Sequence, residues 1–169
     1  YPPGILRRLQ MGGNTVENTI RGGLQSHAYR SNPWNKVGPW GGGGSKDYGL
    51  HDFYELCAYV GCEPWFCLPG TLRDDEVVAF MEYLGAPADV GLGKLRAELG
   101  QSQPWTEVFH RIHVEFGNEA WNMFGPYHCG GYNGPDYWKG LIETGKASPH
   151  YASTVLFHAG GQAAWAPRN

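Results

Sequence analysis

Short apolar runs that end near glycine alternate along this chain with stretches whose apolar residues recur every three to four positions. That alternation leaves few architectures open, because a parallel strand is reached only through a crossover, usually helical. Ile5 to Met11 reads as a strand running into Gly12-Gly13-Asn14. An irregular segment rich in Gly, Trp, Pro and Asn follows to about Lys46; its run Gly41 to Gly44 is a loop tip and not a phosphate cradle, since no Gly-Lys-Ser/Thr follows. Leu50, Phe53, Leu56, Cys57 and Val60 then repeat at helical spacing, with Asp47 as the expected N-cap and Gly61 as a left-handed stop. Pro64 to Leu68 is a short buried strand. Asp74, Asp75 and Glu76 open the next helix, where acidic side chains complement the helix dipole, and Gly85 ends it. After a loop come a strand at Arg111 to Phe116, a helix around Asp136 to Thr144 and a strand at Thr154 to Ala159. The expected fold is α/β, with about four parallel strands and three connecting helices.

Length sets how much of such a fold can be present. The chain has 169 residues, whereas a closed eight-stranded α/β barrel takes roughly 250. One domain over 1–169 is expected, a partial barrel whose ends, at Tyr1 and just past an apolar stretch, read as cut. A net charge of -3 argues against nucleic acid or an anionic membrane surface as partner. No apolar run approaches the ~20 residues that span a bilayer. Cys57, Cys62, Cys67 and Cys129 contain no C-x-x-C pair, so a structural zinc is not expected; Cys57 and Cys67 fall on apolar positions and read as buried thiols. His110 and His113 have no carboxylate or histidine at a matching ligand offset, so no metal is expected.

In a βα barrel the chemistry gathers at the C-terminal ends of the strands. Three such ends are glycine-rich or polar: Gly12-Gly13-Asn14, Pro69-Gly70-Thr71 and Gly117-Asn118-Glu119. The third is the most specific. His113, Glu115, Gly117 and Glu119 alternate onto one side of the strand, opposite Ile112, Val114 and Phe116, so the apolar side suits a helical layer and the polar side a barrel interior. An amide there can bond a sugar hydroxyl, and a glutamic acid of raised pKa can protonate a glycosidic oxygen. The competing reading of Asn118-Glu119 is an ordinary helix start, with Asn as N-cap. Aromatic residues make up 14% of the chain, which suits either a core or a surface on which sugar rings stack.

The stretch HVEFGNEAWN resembles the fourth-strand signature of clan A glycoside hydrolases, and the wider sequence resembles glycoside hydrolase family 51, the α-L-arabinofuranosidases. The matching segments run in order: Gly12-Gly13-Asn14, Trp34, Val37-Gly38-Pro39, YGLHDFYELCAYVGCEP at 48–64, MEYLG at 81–85, LRAELGQ at 95–101 and GNE at 117–119. The resemblance implies that the chain carries about strands two to five of a (β/α)8 barrel. It makes Glu119 the general acid/base of a retaining double displacement and Asn118 the partner of the hydroxyl beside the anomeric carbon. Glu17, Asn14 and Trp121 join Asn118 as substrate-binding residues. For Glu17 a solvated loop carboxylate is the alternative, and for Asn14 a turn residue. Met11 stands where the family usually has proline and Pro69 where it usually has asparagine; both departures bear on the sugar preferred. The second carboxylate, about 5–5.5 Å from the first in retaining enzymes, is by the same resemblance a Glu closing the seventh strand, beyond the reach of this sequence. The implied partner is an oligo- or polysaccharide, with no cofactor. Two other readings stay open: a carbohydrate-binding protein without turnover, and a half barrel that self-associates through open sheet edges.

Overall fold

The computed structural model describes residues 4–9, 15–21, 49–68, 72–116 and 130–158, and the side chains of all of these but Leu9, Asn18 and residues 130–135. Strands β1 (Ile5–Leu9), β2 (Glu63–Leu68), β3 (Ile112–Phe116) and β4 (Val155–His158) pair in parallel in the order β1-β2-β3-β4. Each strand therefore lies beside its predecessor, which agrees with an arc of a (β/α)8 barrel. The helices are α1 (Val16–Arg21), α2 (Leu50–Val60), α3 (Asp74–Gly85), α4 (Gly91–Glu98), α5 (Trp105–Val108) and α6 (Gly130–Ala147).

The two-residue period of the strands sorts side chains onto two faces. Phe66, Leu68, Ile112, Val114, Phe116 and Val155 form one face and are all but fully buried. They join one apolar cluster with Leu50, Phe53 and Tyr54 of α2 and Val77, Phe80, Met81 and Leu84 of α3. Full burial of each such side chain contributes about 1.5–3 kcal/mol. The register carries the opposite face across the sheet in rows, Arg7–Trp65–His113 and Cys67–Glu115–His158.

The strands and helices α2 and α3 follow the sequence expectations to within a few residues; α6 contains the expected Asp136 to Thr144 but begins already at Gly130, and the connections do not follow them. Residues 86–110, read as a loop, contain α4 and α5, and the segment after β1, read as irregular, contains α1. Both corrections have tertiary causes. The first N–H of α1, that of Val16, donates to Glu76 Oε2 at 2.6 Å, so a side chain of α3 caps it. Helix α4 has weak apolar patterning but carries Arg96, which is fully buried and donates to the carbonyls of Tyr83 (2.8 Å), Ala86 (2.7 Å), Gln101 (3.2 Å) and Ser102 (3.3 Å). Gly93 is needed in α4 because a Cβ there would stand 2.3 Å from the Pro87 carbonyl oxygen. Helix α2 starts from Gly49, whose N–H donates to Asp52 Oδ2; the expected cap, Asp47, lies outside the described residues. It ends as expected at Gly61, with φ +76°.

Candidate functional site

The face of the sheet turned away from the helices is a wall of polar and aromatic groups. Its centre is Glu115, 4% exposed. Glu115 Oε2 accepts from Arg7 Nη2 at 2.8 Å and Nε at 3.3 Å, from Trp65 Nε1 at 3.0 Å and from the Cys67 thiol at 3.3 Å. A carboxylate this deep persists only if paired and hydrogen-bonded, and the guanidinium of β1 with the two donors of β2 meets that need. The contacts also lock three strands together. Burial, then the charge of Glu115, pushes the Cys67 thiol up well beyond the ordinary range, so it stays a protonated donor.

Beside Glu115 lies a chain of three titratable groups. His113 Nε2 is 3.1 Å from Glu63 Oε2, and His113 Nδ1 is 2.8 Å from His158 Nε2. With Glu63 ionised, Nε2–H of His113 donates to it; Nδ1 is then the acceptor for Nε2–H of His158. Burial first, and then the neighbouring His113, lower the pKa of His158, while Glu115 opposes them. The Trp65 indole stacks on both imidazoles, with centroids at 5.6 Å and 4.7 Å, and the Arg7 guanidinium carbon lies 5.6 Å from its ring centroid. Glu63, Trp65, His113 and His158 thus form an aromatic, hydrogen-bonding surface of the kind that suits a polyhydroxylated ligand. Among the described residues no group of three or more His, Cys, Asp or Glu has metal-holding geometry.

Of the residues expected to form a site, Glu17 is described. It sits in the first turn of α1, half exposed, with Oε1 2.9 Å from Arg21 Nε one turn on. Asn14, Asn118, Glu119 and Trp121 lie outside the described residues, as do Met11 and Pro69. The expected inward alternation of His113 and Glu115, against Ile112, Val114 and Phe116, is seen as far as Phe116. Arg7, Glu63, Trp65, Cys67 and His158 were not singled out as part of this wall. The signal for three of them was present: Glu63, Trp65 and Cys67 alternate with Pro64, Phe66 and Leu68, although the run reads as simply buried. The partners that His113 lacks in sequence come from neighbouring strands.

No protein-family profile matches the chain. It is 30% identical over 104 residues to an intracellular exo-α-L-arabinofuranosidase of Bacteroides ovatus, a match covering 60% of this chain and 18% of that protein. It is 28% identical over 130 residues to a probable α-L-arabinofuranosidase C of Aspergillus clavatus, covering 75% and 24%. Among solved structures, the family 51 arabinofuranosidase of Xanthomonas axonopodis pv. citri matches with a TM-score of 0.59 at 20% identity, over 92% of this chain and 30% of that one. A family 51 α-L-arabinofuranosidase from Bifidobacterium longum gives 0.62 at 16%, over 94% and 29%. The chain spans about a fifth to a quarter of the length of these curated relatives. By sequence the chain is a relative of the α-L-arabinofuranosidases, and it has the fold of a segment of a family 51-like glycoside hydrolase.

Proposed function

We propose that the chain supplies the acid/base part of a retaining glycoside hydrolase acting on arabinofuranosyl-containing polysaccharides. Residues 1–169 are part of its catalytic (β/α)8 barrel, about strands two to five. Glu119 protonates the leaving oxygen and, after the glycosyl-enzyme has formed, takes a proton from water; the nucleophilic Glu comes from a later strand of a longer polypeptide. Asn118 bonds the hydroxyl beside the anomeric carbon, and Asn14, Glu17 and Trp121 complete the sugar contacts. The observation that carries this reading is the inward turn of His113 and Glu115 on β3, a two-residue series that positions 117 and 119 continue in sequence. Glu115 itself does not serve as the acid, because the guanidinium, indole and thiol already occupy its Oε2. The arabinofuranosidase relatives support the substrate class.

The test is turnover of an aryl α-L-arabinofuranoside and of an arabinan oligomer by the full-length protein and by its Glu119→Gln variant. General acid–base catalysis contributes about 10²–10⁴-fold. The loss should approach that range on the oligomer and be smaller on the aryl glycoside, whose leaving group needs little protonation. The 169-residue chain alone should not turn over. Turnover by the isolated chain that Glu119→Gln abolishes would refute the external nucleophile. Binding of oligomers by the full-length protein without turnover would favour a carbohydrate-binding role.

A second reading has its own observation. The strand order leaves β1 and β4 each paired on one side only among the described residues. Open edges of this kind promote association, so the isolated chain should scatter light as a dimer or larger species. A monomer at all concentrations would remove this reading.

A further inference from the structure

At the N-terminal ends of the strands, remote from the ends that carry the proposed chemistry, a cleft of about 390 Å³ opens between Gly4, Gly61, Glu63 and His110. Cys57 and Cys62 also line it. These cysteines are joined by the way α2 stops. Gly61 takes the left-handed conformation, and the N–H groups of Gly61 and Cys62 both donate to the carbonyl of Cys57, at 2.9 and 3.0 Å. In this closure the residue three from the helix end and the second residue past it normally bring their side chains into contact. Here both are cysteines, brought together by the stop at Gly61, and both line the same cleft. Neither is engaged in a disulfide.

We propose that Cys57 and Cys62 are a redox pair that closes to a disulfide when hydrogen peroxide enters this cleft. Cys57 is fully buried and Cys62 is 5% exposed, so Cys62 meets the oxidant first. Its thiolate attacks the peroxide, the O–O bond breaks, and a sulfenic acid forms on Cys62 with release of one water. The sulfur of Cys57 then displaces the hydroxyl from that sulfur, its proton leaves with the hydroxide as a second water, and the S–S bond forms. Two thiols are oxidised and one peroxide is reduced to two waters. Burial pushes the Cys57 thiol up, which disfavours it as the first group to attack the peroxide. Cys67 is on the inward face of β2 with its thiol donated to Glu115, so it stands apart from the pair.

The sequence makes the product easy to detect. Chymotrypsin cuts after Tyr59 and Trp65, which puts Cys57, Cys62 and Cys67 on separate peptides unless a bridge joins them. The native chain would be treated with hydrogen peroxide, denatured with N-ethylmaleimide present, and digested without reductant. The expected product is the Cys57 peptide joined to the Cys62 peptide, two hydrogens lighter than their sum and separated by dithiothreitol. In Cys57→Ala, the trapped product should be a dimedone adduct at Cys62; in Cys62→Ser, Cys57 should stay alkylatable. Unchanged circular dichroism during oxidation shows that the reaction belongs to the folded chain, and a linkage that forms only with loss of the folded signal would refute the proposal. So would alkylation of both cysteines in the treated wild type, a bridge from Cys62 to Cys67 or Cys129, or a sulfinic acid at Cys62 with no linked peptide.

Discussion

The two faces of the sheet are made by the same strands, one residue apart, yet they are stabilised by opposite means. On the helix side Phe66, Val114 and Phe116 meet α2 and α3 through apolar contact alone, and shape decides the energy. On the other side Arg7, Trp65, Cys67, His113, Glu115 and His158 satisfy one another through directed bonds, and the energy depends on every partner being present. The apolar face tolerates a change of residue that keeps volume. The polar face tolerates a change that keeps charge balance. This difference can be broken or sharpened by substitution.

The largest effect should come from the apolar side. Phe80, fully buried in α3, has no polar atom to satisfy, so Phe80→Ala removes transfer energy and leaves a cavity. The expected loss is about 4 kcal/mol in urea unfolding, with Phe80→Leu costing much less. Equal losses for the two variants would mean that volume is not what matters there. Next comes Arg96, a polar group enclosed on the helical side. Arg96→Met fills similar space but strips four carbonyls of their donor, and a loss of about 3 kcal/mol is expected. Burial already lowers the pKa of this guanidinium, so its carbonyl partners offset a real desolvation cost. A neutral Arg96→Met would show those carbonyls to be hydrated.

These cases also mark what the sequence disclosed. Period-two and helical spacing are local, so β2, β3, α2 and α3 are legible from residues 50–116 alone, and Gly61 announces the end of α2. Helices α1 and α4 escape that reading because Glu76 caps one from another helix and Arg96 anchors the other to distant carbonyls. The inward wall divides in the same way. His113 and Glu115 reveal themselves by alternation, whereas Arg7 and His158 reach them only through the strand register. Of the expected substrate contacts, Glu17 is exposed and joined to Arg21, a pairing that four-residue spacing on a helix makes possible but a loop would not.

A middle-sized effect tests the polar side directly. Arg7→Met removes the cation that faces Glu115 and leaves a buried carboxylate with an indole and a thiol as its donors. Arg7 is more than a third exposed, which screens the pair, so a loss of about 2 kcal/mol is expected rather than the larger cost of a fully enclosed pair. The double variant Arg7→Met/Glu115→Leu should be more stable than Arg7→Met alone, since it removes the unpaired charge as well. Simple addition of the two single losses would show that the carboxylate had never depended on Arg7.

The smallest effect is a pH dependence shared by both faces. On the polar side His158 is held below its ordinary 6.5 by burial and by His113. On the helical side His51 is lowered by burial, against Glu55 and Asp52, with its Nδ1 3.1 Å from the Tyr83 hydroxyl. Both folded pKa values lie below the unfolded one, so the unfolded chain binds more protons as pH falls through 6.5. Their contribution is whole above that pH and is lost as pH drops toward the folded values, the sign opposite to that of a histidine held by a carboxylate. Allowing for solvent around His158, each should cost under about 1 kcal/mol by pH 5, seen as a fall of a few degrees in unfolding temperature. His158→Gln should flatten part of that fall and His51→Gln another part, independently, because the two rings stand on opposite faces of the sheet. An acid limb unchanged by either substitution would assign the loss to carboxylates alone, and the wall on the inward face would then be indifferent to the protonation of His158.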